Sequence, residues 1–180
     1  FILIMIYVID HEDSFTYNLA HLLDDIQPTI VSNYYEIDYK KLEKSNIIVL
    51  SPGPGEPRDY PLTTKIYNKY KGKKKIIGIC LGFQQIVYSE GGKIIQQKRI
   101  LHGYQSDIKV ISKKSIFKNN YKFKGGRYHS LKISEPFKSK SLKITMRCTK
   151  TNVAMAIEDD INQGYGFQFH PDSFLTPNGK

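Results

Sequence analysis

The chain has 180 residues, of which 40% are hydrophobic and 24% are charged, values typical of a globular protein with a substantial core. Its formal net charge of +10 raises the question of nucleic-acid binding. Bidentate recognition of phosphates and bases relies on arginine, yet most of the 27 basic residues are scattered lysines, and the arginines are only Arg58, Arg99, Arg127 and Arg147. The charge therefore favours a solvated surface, and we expect no nucleic-acid partner.

The apolar run FILIMIYVI at the start predicts a buried strand rather than a targeting segment. It is too short for a membrane span and lacks the basic start and the cleavage site of a signal peptide. Met5 is a candidate start of the natural chain, with residues 1–4 as an addition. The two cysteines, Cys80 and Cys148, do not make a disulfide framework. Free thiols predict a reducing, cytoplasmic setting.

The first half of the chain alternates strand-like and helix-like segments, which predicts an open, mostly parallel sheet with helices on both faces. The continuous apolar run at 3–9 predicts a strand buried on both faces. Ser14 is predicted to cap a helix whose apolar face reaches Ile26. The following elements are predicted as strands over 29–34, 46–50 and 75–79 and helices over 38–45, 62–70 and 81–90, the last ending at Gly91 and Gly92.

From Lys93 onward the pattern changes to short alternating runs without helical spacers. Such runs predict antiparallel strands and hairpins appended to the parallel core. The runs are KIIQQK, SDIKVIS, YHSLKIS, LKITMRC, VAMAIED and YGFQF. Because no repeat, low-complexity tract or linker stands out, residues 1–180 are predicted to form one α/β domain with an antiparallel extension.

The segment GICLG carries a candidate nucleophile. Cys80 lies between two glycines at a predicted strand-to-helix turn, the arrangement of a nucleophile elbow with sulfur in place of oxygen. The helix N-terminus should favour the reactive thiolate. A buried cysteine in a strand-to-helix junction explains the segment equally well when it is taken alone. Cys148 has no glycines around it and is predicted to be a core residue.

A thiol nucleophile needs a base and a group that orients the base. His170 follows the strand run YGFQF, and Asp172 comes two residues later, so this pair can fill both roles, although an ordinary turn also explains H-P-D. The loop SPGPGEP at 51–57 can contribute backbone N–H groups to an oxyanion hole together with the N–H of Leu81. A structural turn or a phosphate cradle are the alternatives for this loop, but the Lys-Ser/Thr ending of a P-loop is absent.

In order and together, these motifs resemble the class I (triad-type) glutamine amidotransferases over nearly the whole chain. The motifs are VIDHEDSFTYNL, LSPGPGEP, GICLGFQ, LHG, YHSL and GFQFHPDSFLT. They are similar in particular to the glutaminase subunits of anthranilate synthase and of aminodeoxychorismate (para-aminobenzoate) synthase. The resemblance implies a flavodoxin-like amidotransferase fold, hydrolysis of L-glutamine through a cysteine thioester, and transfer of ammonia to a chorismate-binding synthase subunit.

The resemblance also implies a role for each matching residue. Cys80 would attack the glutamine amide, His170 would act as acid and base, and Asp172 would orient His170. Gly53 and Leu81 would supply the oxyanion N–H groups. The positions that would hold glutamine are Gly53, Gly55, Leu81, Gln84, Ser130 and Leu131. The segments DSFTYNL and LHG would contact the partner; no metal or cofactor is expected in this subunit, and magnesium is expected on the synthase partner.

Three features depart from the family pattern. The family usually has glutamate at Asp172, often has histidine at Phe83, which is expected to flank the cleft, and continues into a last helix beyond Lys180. Since the third member of a triad orients rather than reacts, the shorter Asp172 should reduce activity without abolishing it. Two other functions stay open: a catalytically weak regulatory or binding subunit of such a complex, and a stand-alone cysteine hydrolase without a partner.

Overall fold

The computed structural model describes residues 4–179, so the first residue of the strand predicted over 3–9 lies outside the described residues. The strands are β1 (Ile6–Asp10), β2 (Thr29–Asn33), β3 (Ile47–Leu50), β4 (Lys75–Ile79), β5 (Ile94–Gln96), β6 (Tyr104–Val110), β7 (Lys122–Arg127), β8 (Leu131–Ile133), β9 (Lys143–Cys148), β10 (Ala154–Asp159) and β11 (Gly164–Phe167). The helices are α1 (Thr16–Asp24), α2 (Tyr39–Lys44), α3 (Pro61–Tyr70) and α4 (Leu81–Ser89), with a short 3₁₀ turn at Pro57–Asp59. Among the described residues no helix is long and apolar enough to cross a membrane.

Nine strands form one mixed sheet in the order β2-β1-β3-β4-β11-β10-β9-β6-β7. The first four pairings in this order are parallel and the last four are antiparallel. Strands β5 and β8 form a separate antiparallel pair. The predicted α/β class, with a parallel core and an antiparallel extension, is confirmed.

The strands of the parallel core bury side chains on both faces, because successive residues of a strand point to opposite sides. On one face Tyr7 and Ile9 of β1 join a core that includes residues of α2, α3 and α4. On the other face Ile6 and Val8 pack with Leu19 of α1. Helices therefore cover both faces, as the alternating pattern predicts.

Strand β11 joins the two halves of the sheet. It runs antiparallel to β10, as predicted for YGFQF, but it also runs parallel to β4, with Gly166 opposite Gly78 and Phe167 opposite Ile79. The N–H of Cys80 donates to the carbonyl oxygen of Phe167 at 2.7 Å, which continues this ladder past the end of β4. The carboxyl ends of β4 and β11 therefore lie side by side.

The predicted start and face of α1 are wrong in two details. The side chain of Ser14 makes no capping bond; instead Asp13 accepts the N–H of Phe15 on its side chain at 2.8 Å and the N–H of Thr16 on its carbonyl oxygen at 3.1 Å. The helix ends at Asp24, so Ile26 lies beyond it and is 65% exposed. The apolar face of the helix is consequently shorter than predicted.

The turn between β4 and α4 requires glycine at both flanking positions. A Cβ at Gly78 would meet the backbone of Gly82, and a Cβ at Gly82 would overlap the carbonyl oxygen of Leu50 on β3. The first turn of α4 therefore lies directly on the backbone of the sheet. The helix stops as predicted at its glycine pair, with Gly91 at φ +82° and the N–H of Gly92 donating to Val87 at 2.9 Å.

We expect Gly82→Ala to lower the free energy of unfolding by about 3 kcal/mol, because the added methyl group has no room and overpacking typically costs about 1–3 kcal/mol. Helix propensity alone predicts the opposite sign, since alanine is the better helix former by about 1 kcal/mol. Urea unfolding followed by circular dichroism measures the change.

Gly91→Ala is the matched control for this substitution. The described residues leave open space around a Cβ at Gly91, so only the left-handed backbone conformation should cost free energy, about 1 kcal/mol. A Gly82→Ala variant as stable as the parent would contradict the close approach of α4 to the sheet.

Candidate active site

Cys80 occupies the predicted sharp turn between β4 and α4. Its backbone has φ 53° and ψ −101°, a left-handed conformation that residues other than glycine adopt rarely and mostly under local constraint. It is the N-cap residue of α4 and is buried. The elbow geometry predicted from GICLG is therefore present, and the thiol lies at the carboxyl edge of the sheet.

The thiol of Cys80 is protonated in the resting protein. Burial raises its pKa to about 12, the nearby charge of Asp13 acts in the same direction, and the N–H of Leu81 lowers the pKa only in part. We predicted that the helix N-terminus would favour the thiolate, but desolvation outweighs it here. A base must therefore take the thiol proton when the sulfur reacts.

His170 is a neutral imidazole that lies three residues beyond the end of β11. Burial lowers its pKa to about 4, and its ring lies between those of Phe15 and Tyr128, with centroids 5.2 and 5.0 Å away. Its backbone N–H donates to the carbonyl oxygen of Gly126 at 2.9 Å. Neither ring nitrogen has a hydrogen-bond partner among the described residues, so no other group occupies the nitrogen that would accept a proton.

Asp172 points toward His170 without reaching it. Its Oδ1 lies 3.7 Å from Nδ1 of His170, which is beyond hydrogen-bond distance. The Asp172 carboxyl is buried, and this burial raises its pKa to about 6. The shorter side chain therefore leaves a gap where a longer carboxylate would bond the imidazole.

A cleft of about 500 Å³ brings the predicted site residues together. Those that line it are Gly53, Gly55, Cys80, Leu81, Gln84, Ser130, Leu131 and His170. Asp172 does not line the cleft and lies behind His170. No group of three or more His, Cys, Asp or Glu side chains in the described range 4–179 is arranged to hold a metal ion.

The SPGPGEP loop forms one wall of the cleft and is anchored by a residue that the sequence does not single out. A Cβ at Gly53 would come within 2.5 Å of His11 and 2.7 Å of Leu81, so only glycine fits there. His11 is fully buried; its Nδ1 lies 3.2 Å from the carbonyl oxygen of Ser51 and its Nε2 lies 2.9 Å from the hydroxyl of Thr63. His11 therefore holds the loop against α3.

Gln168 is a second residue that sequence reasoning missed. Its Nε2 donates to Sγ of Cys80 at 3.7 Å, and its Oε1 accepts from Nε2 of Gln84 at 3.0 Å. The bond from Gln84 fixes the orientation of the Gln168 amide, so that an N–H rather than an oxygen faces the sulfur. The available signal is the predicted strand run YGFQF, which places Gln168 two residues before His170 and so on the same side of an extended chain, although β11 of the structure already ends at Phe167.

Phe83 does not flank the cleft as predicted. It is fully buried on α4 and belongs to the main hydrophobic core beneath the sheet. A Cβ at Gly166 of β11 would lie 3.1 Å from its ring. Phe83 therefore contributes to core packing and does not form a wall of the cleft.

We expect Gln168→Leu to raise the pKa of Cys80, because the variant removes a donor to the sulfur where burial already disfavours the thiolate. Alkylation by iodoacetamide, mapped to Cys80 by mass spectrometry over a range of pH, should then be slower at a fixed alkaline pH. The exposed Gln96→Leu variant is the control and should react like the parent. An unchanged rate in Gln168→Leu would show that the amide has no influence on the thiol.

Comparison with known proteins agrees with this geometry. The family model of glutamine amidotransferase class-I matches residues 7–180. Anthranilate synthase component 2 of Lactococcus lactis is 38% identical over 179 residues, which cover 97% of this chain and 89% of that protein. The bifunctional protein TrpGD of Thermotoga maritima is 37% identical over 96% of this chain, and the chain spans only 30% of that longer protein.

A solved structure shares the fold. A glutamine amidotransferase from Thermotoga maritima superposes with a TM-score of 0.74 over 94% of this chain and 76% of that one, at 16% sequence identity. At that identity the likeness concerns the fold alone. The match of the family model over nearly the whole length, together with the identities above, leads to one conclusion: the chain belongs to the class I glutamine amidotransferase family.

Proposed function

We propose that this chain is the glutaminase subunit of an anthranilate synthase, which hydrolyses L-glutamine and passes ammonia to a chorismate-binding partner subunit. The observation that carries the proposal is the juxtaposition of Cys80 and His170 in one cleft, at the ends of two adjacent parallel strands. The names of the relatives described above favour the anthranilate branch over the aminodeoxychorismate branch.

The first chemical step begins from the neutral pair. The imidazole of His170 takes the proton of the Cys80 thiol as the sulfur attacks the side-chain amide carbon of glutamine, which gives a tetrahedral oxyanion. Backbone N–H groups of Gly53 and Leu81 stabilise that oxygen. The burial that disfavours a resting thiolate also excludes water, which strengthens these hydrogen bonds as negative charge develops.

The second step releases ammonia and regenerates the enzyme. The imidazolium of His170 protonates the leaving nitrogen as the C–N bond breaks, which leaves a γ-glutamyl thioester on Cys80. A water molecule, activated by the neutral imidazole, then attacks the thioester carbonyl and releases glutamate. The net reaction converts glutamine and water to glutamate and ammonia.

Substrate binding is assigned to the cleft walls. Gly55, Gln84, Ser130 and Leu131 line the cleft beside Cys80, and Gln84 already donates toward the carbonyl oxygen of Leu131 at 3.4 Å. These groups suit a substrate with an α-amino acid head and an amide tail. Gln84 also bonds Gln168, so the same side chain links the glutamine subsite to the nucleophile.

The proposed partner surface surrounds the mouth of the cleft. Phe15 of DSFTYNL and His102 of LHG both line it, and Tyr17 beside Phe15 is 74% exposed. A synthase subunit docked across these segments would cover the cleft and receive ammonia without loss to solvent. Two free thiols support a cytoplasmic location for the complex.

The gap between Asp172 and His170 favours one second candidate, a catalytically weak subunit with a mainly regulatory or binding role. Without the carboxylate bond, the imidazolium formed during thiol attack lacks a compensating charge at hydrogen-bond distance. The two candidates differ in the rate of glutamine hydrolysis once a partner is bound.

We expect ammonia release from glutamine in the presence of anthranilate synthase component 1 from the same source, and its loss in Cys80→Ser and His170→Ala. A coupled glutamate assay with and without the partner measures this. His21→Ala, an exposed histidine on α1, is the matched control and should retain the parent rate. Absence of activity with the partner bound would reject the glutaminase proposal, and activation by aminodeoxychorismate synthase component 1 alone would reject the anthranilate branch.

We expect Asp172→Glu to raise kcat with the partner bound roughly tenfold, because one more methylene closes the gap and a hydrogen bond to a charged group contributes about 1.5–3 kcal/mol. The rate at saturating glutamine measures kcat, and KM should change little because Asp172 does not line the cleft. Asp172→Asn should be slower than the parent. An unchanged or lower kcat in Asp172→Glu would show that the longer carboxylate confers no benefit here.

A further inference from the structure

Arg127, the last residue of β7, is a buried cation that has no carboxylate partner within residues 4–179. Its side chain is 1% exposed, and none of the ion pairs in the described part of the chain includes it. Its guanidinium donates to three neutral acceptors: Nε2 of His129 at 2.9 Å, the hydroxyl of Ser106 at 3.3 Å and Oε1 of Gln97 at 3.4 Å. Removing a guanidinium from water is costly unless an opposite charge compensates.

The Arg127 side chain lines a cavity of about 330 Å³ whose other charged groups are mostly cationic. The basic residues around it are Lys98, Arg99, Arg127, Lys132 and Lys150. Leu101 and Val153 give the cavity an apolar wall, and Ser106 and Gln97 add polar groups. Such a combination of a buried cation, convergent donors and an apolar wall is typical of a site for a small anionic ligand.

The carboxylate and the imidazole near the cavity, those of Asp107 and His129, do not neutralise Arg127. Asp107 is the acidic residue of the lining, but it alternates with Ser106 along β6 and so points to the opposite face of the strand. His129 must be neutral, because its Nε2 accepts from Arg127 and burial lowers its pKa to about 3. Within the described part of the chain, no carboxylate is thus paired with the Arg127 charge.

The pKa of Cys148 is also affected by the positive charge of Arg127. Burial raises the pKa of its thiol, but hydrogen bonds with Thr151 and Lys150 and the charge of Arg127 outweigh that effect, so its pKa lies below the ordinary value. Burial in turn lowers the pKa of Arg127, and the neighbouring Cys148 side chain acts in the opposite direction. A negative charge in this cavity is therefore stabilised.

We propose that this cavity binds a small oxyanion, a carboxylate or a phosphate, whose charge pairs with Arg127 and with the lysines of the rim. The site is separate from the cleft of Cys80, because the segment 128–131 lies between them. His129 donates through Nδ1 to the carbonyl oxygen of Leu131 at 2.7 Å, and the N–H of Gln97 donates to the carbonyl oxygen of Ser130 at 2.8 Å. The proposal does not depend on the glutaminase assignment.

Isothermal titration of the full chain with inorganic phosphate, and separately with succinate at matched ionic strength, tests the proposal. We expect saturable binding of at least one of them, and the tighter probe identifies the kind of oxyanion. Arg127→Met should weaken it at least about tenfold, since a charge-assisted bond is lost. Methionine is close in volume and removes a buried charge, so the variant should fold, which thermal unfolding checks.

One rim variant and one control outside the cavity keep the test independent of the buried substitution. Lys150→Gln should weaken binding about threefold, whereas the control Lys113→Gln, which lies outside the cavity lining, should bind like the parent. Absence of saturable binding of both probes would overturn the proposal. Equal affinity in Arg127→Met, or an equal loss in Lys113→Gln, would show only general attraction to a basic surface and would also overturn it.

Discussion

The parallel pairing of β4 with β11 is the constraint on which the site depends. Each strand ends at the same edge of the sheet, and the ladder between them continues to the N–H of Cys80. Because parallel neighbours terminate together, Cys80 and His170 meet although they lie far apart in the chain. The glycines at 78 and 82 allow α4 to start directly on the sheet, which aims Cys80 into the cleft.

Burial, more than any ion pair, sets the protonation states at this edge. It raises the pKa of Cys80 and of Asp172 and lowers that of His170, so thiol and imidazole are both neutral at rest. The N–H of Leu81 and the amide of Gln168, which Gln84 orients, are the donors near the sulfur when negative charge forms there. Side chains buried in this way favour charge only while substrate supplies the matching donors and acceptors.

Local signals in the sequence account for much of the fold and for part of the site. Apolar runs, glycines at the ends of segments and the G-x-C-x-G spacing predict the parallel half of the sheet and the turn at Cys80. They do so because each of these features acts within a few residues. The double pairing of β11 depends on long-range contacts that no local pattern encodes. Phe83 was assigned to the cleft wrongly because α4 is buried on every side through Val87, which removes the periodicity that would reveal its orientation. The composition likewise counts Arg127 together with scattered surface lysines, and it gives no sign that this arginine is buried.

Covalent trapping tests the central claim most directly, that the paired strand ends make Cys80 a nucleophile aimed at glutamine. The full chain, bound to its synthase partner, is treated with a diazoketone analogue of glutamine, and the adduct is located by peptide mass spectrometry. We predict a single adduct on Cys80 that L-glutamine prevents and that His170→Ala slows strongly. An adduct on Cys148, or labelling that glutamine does not prevent, would contradict the assignment of this cleft as the glutamine site.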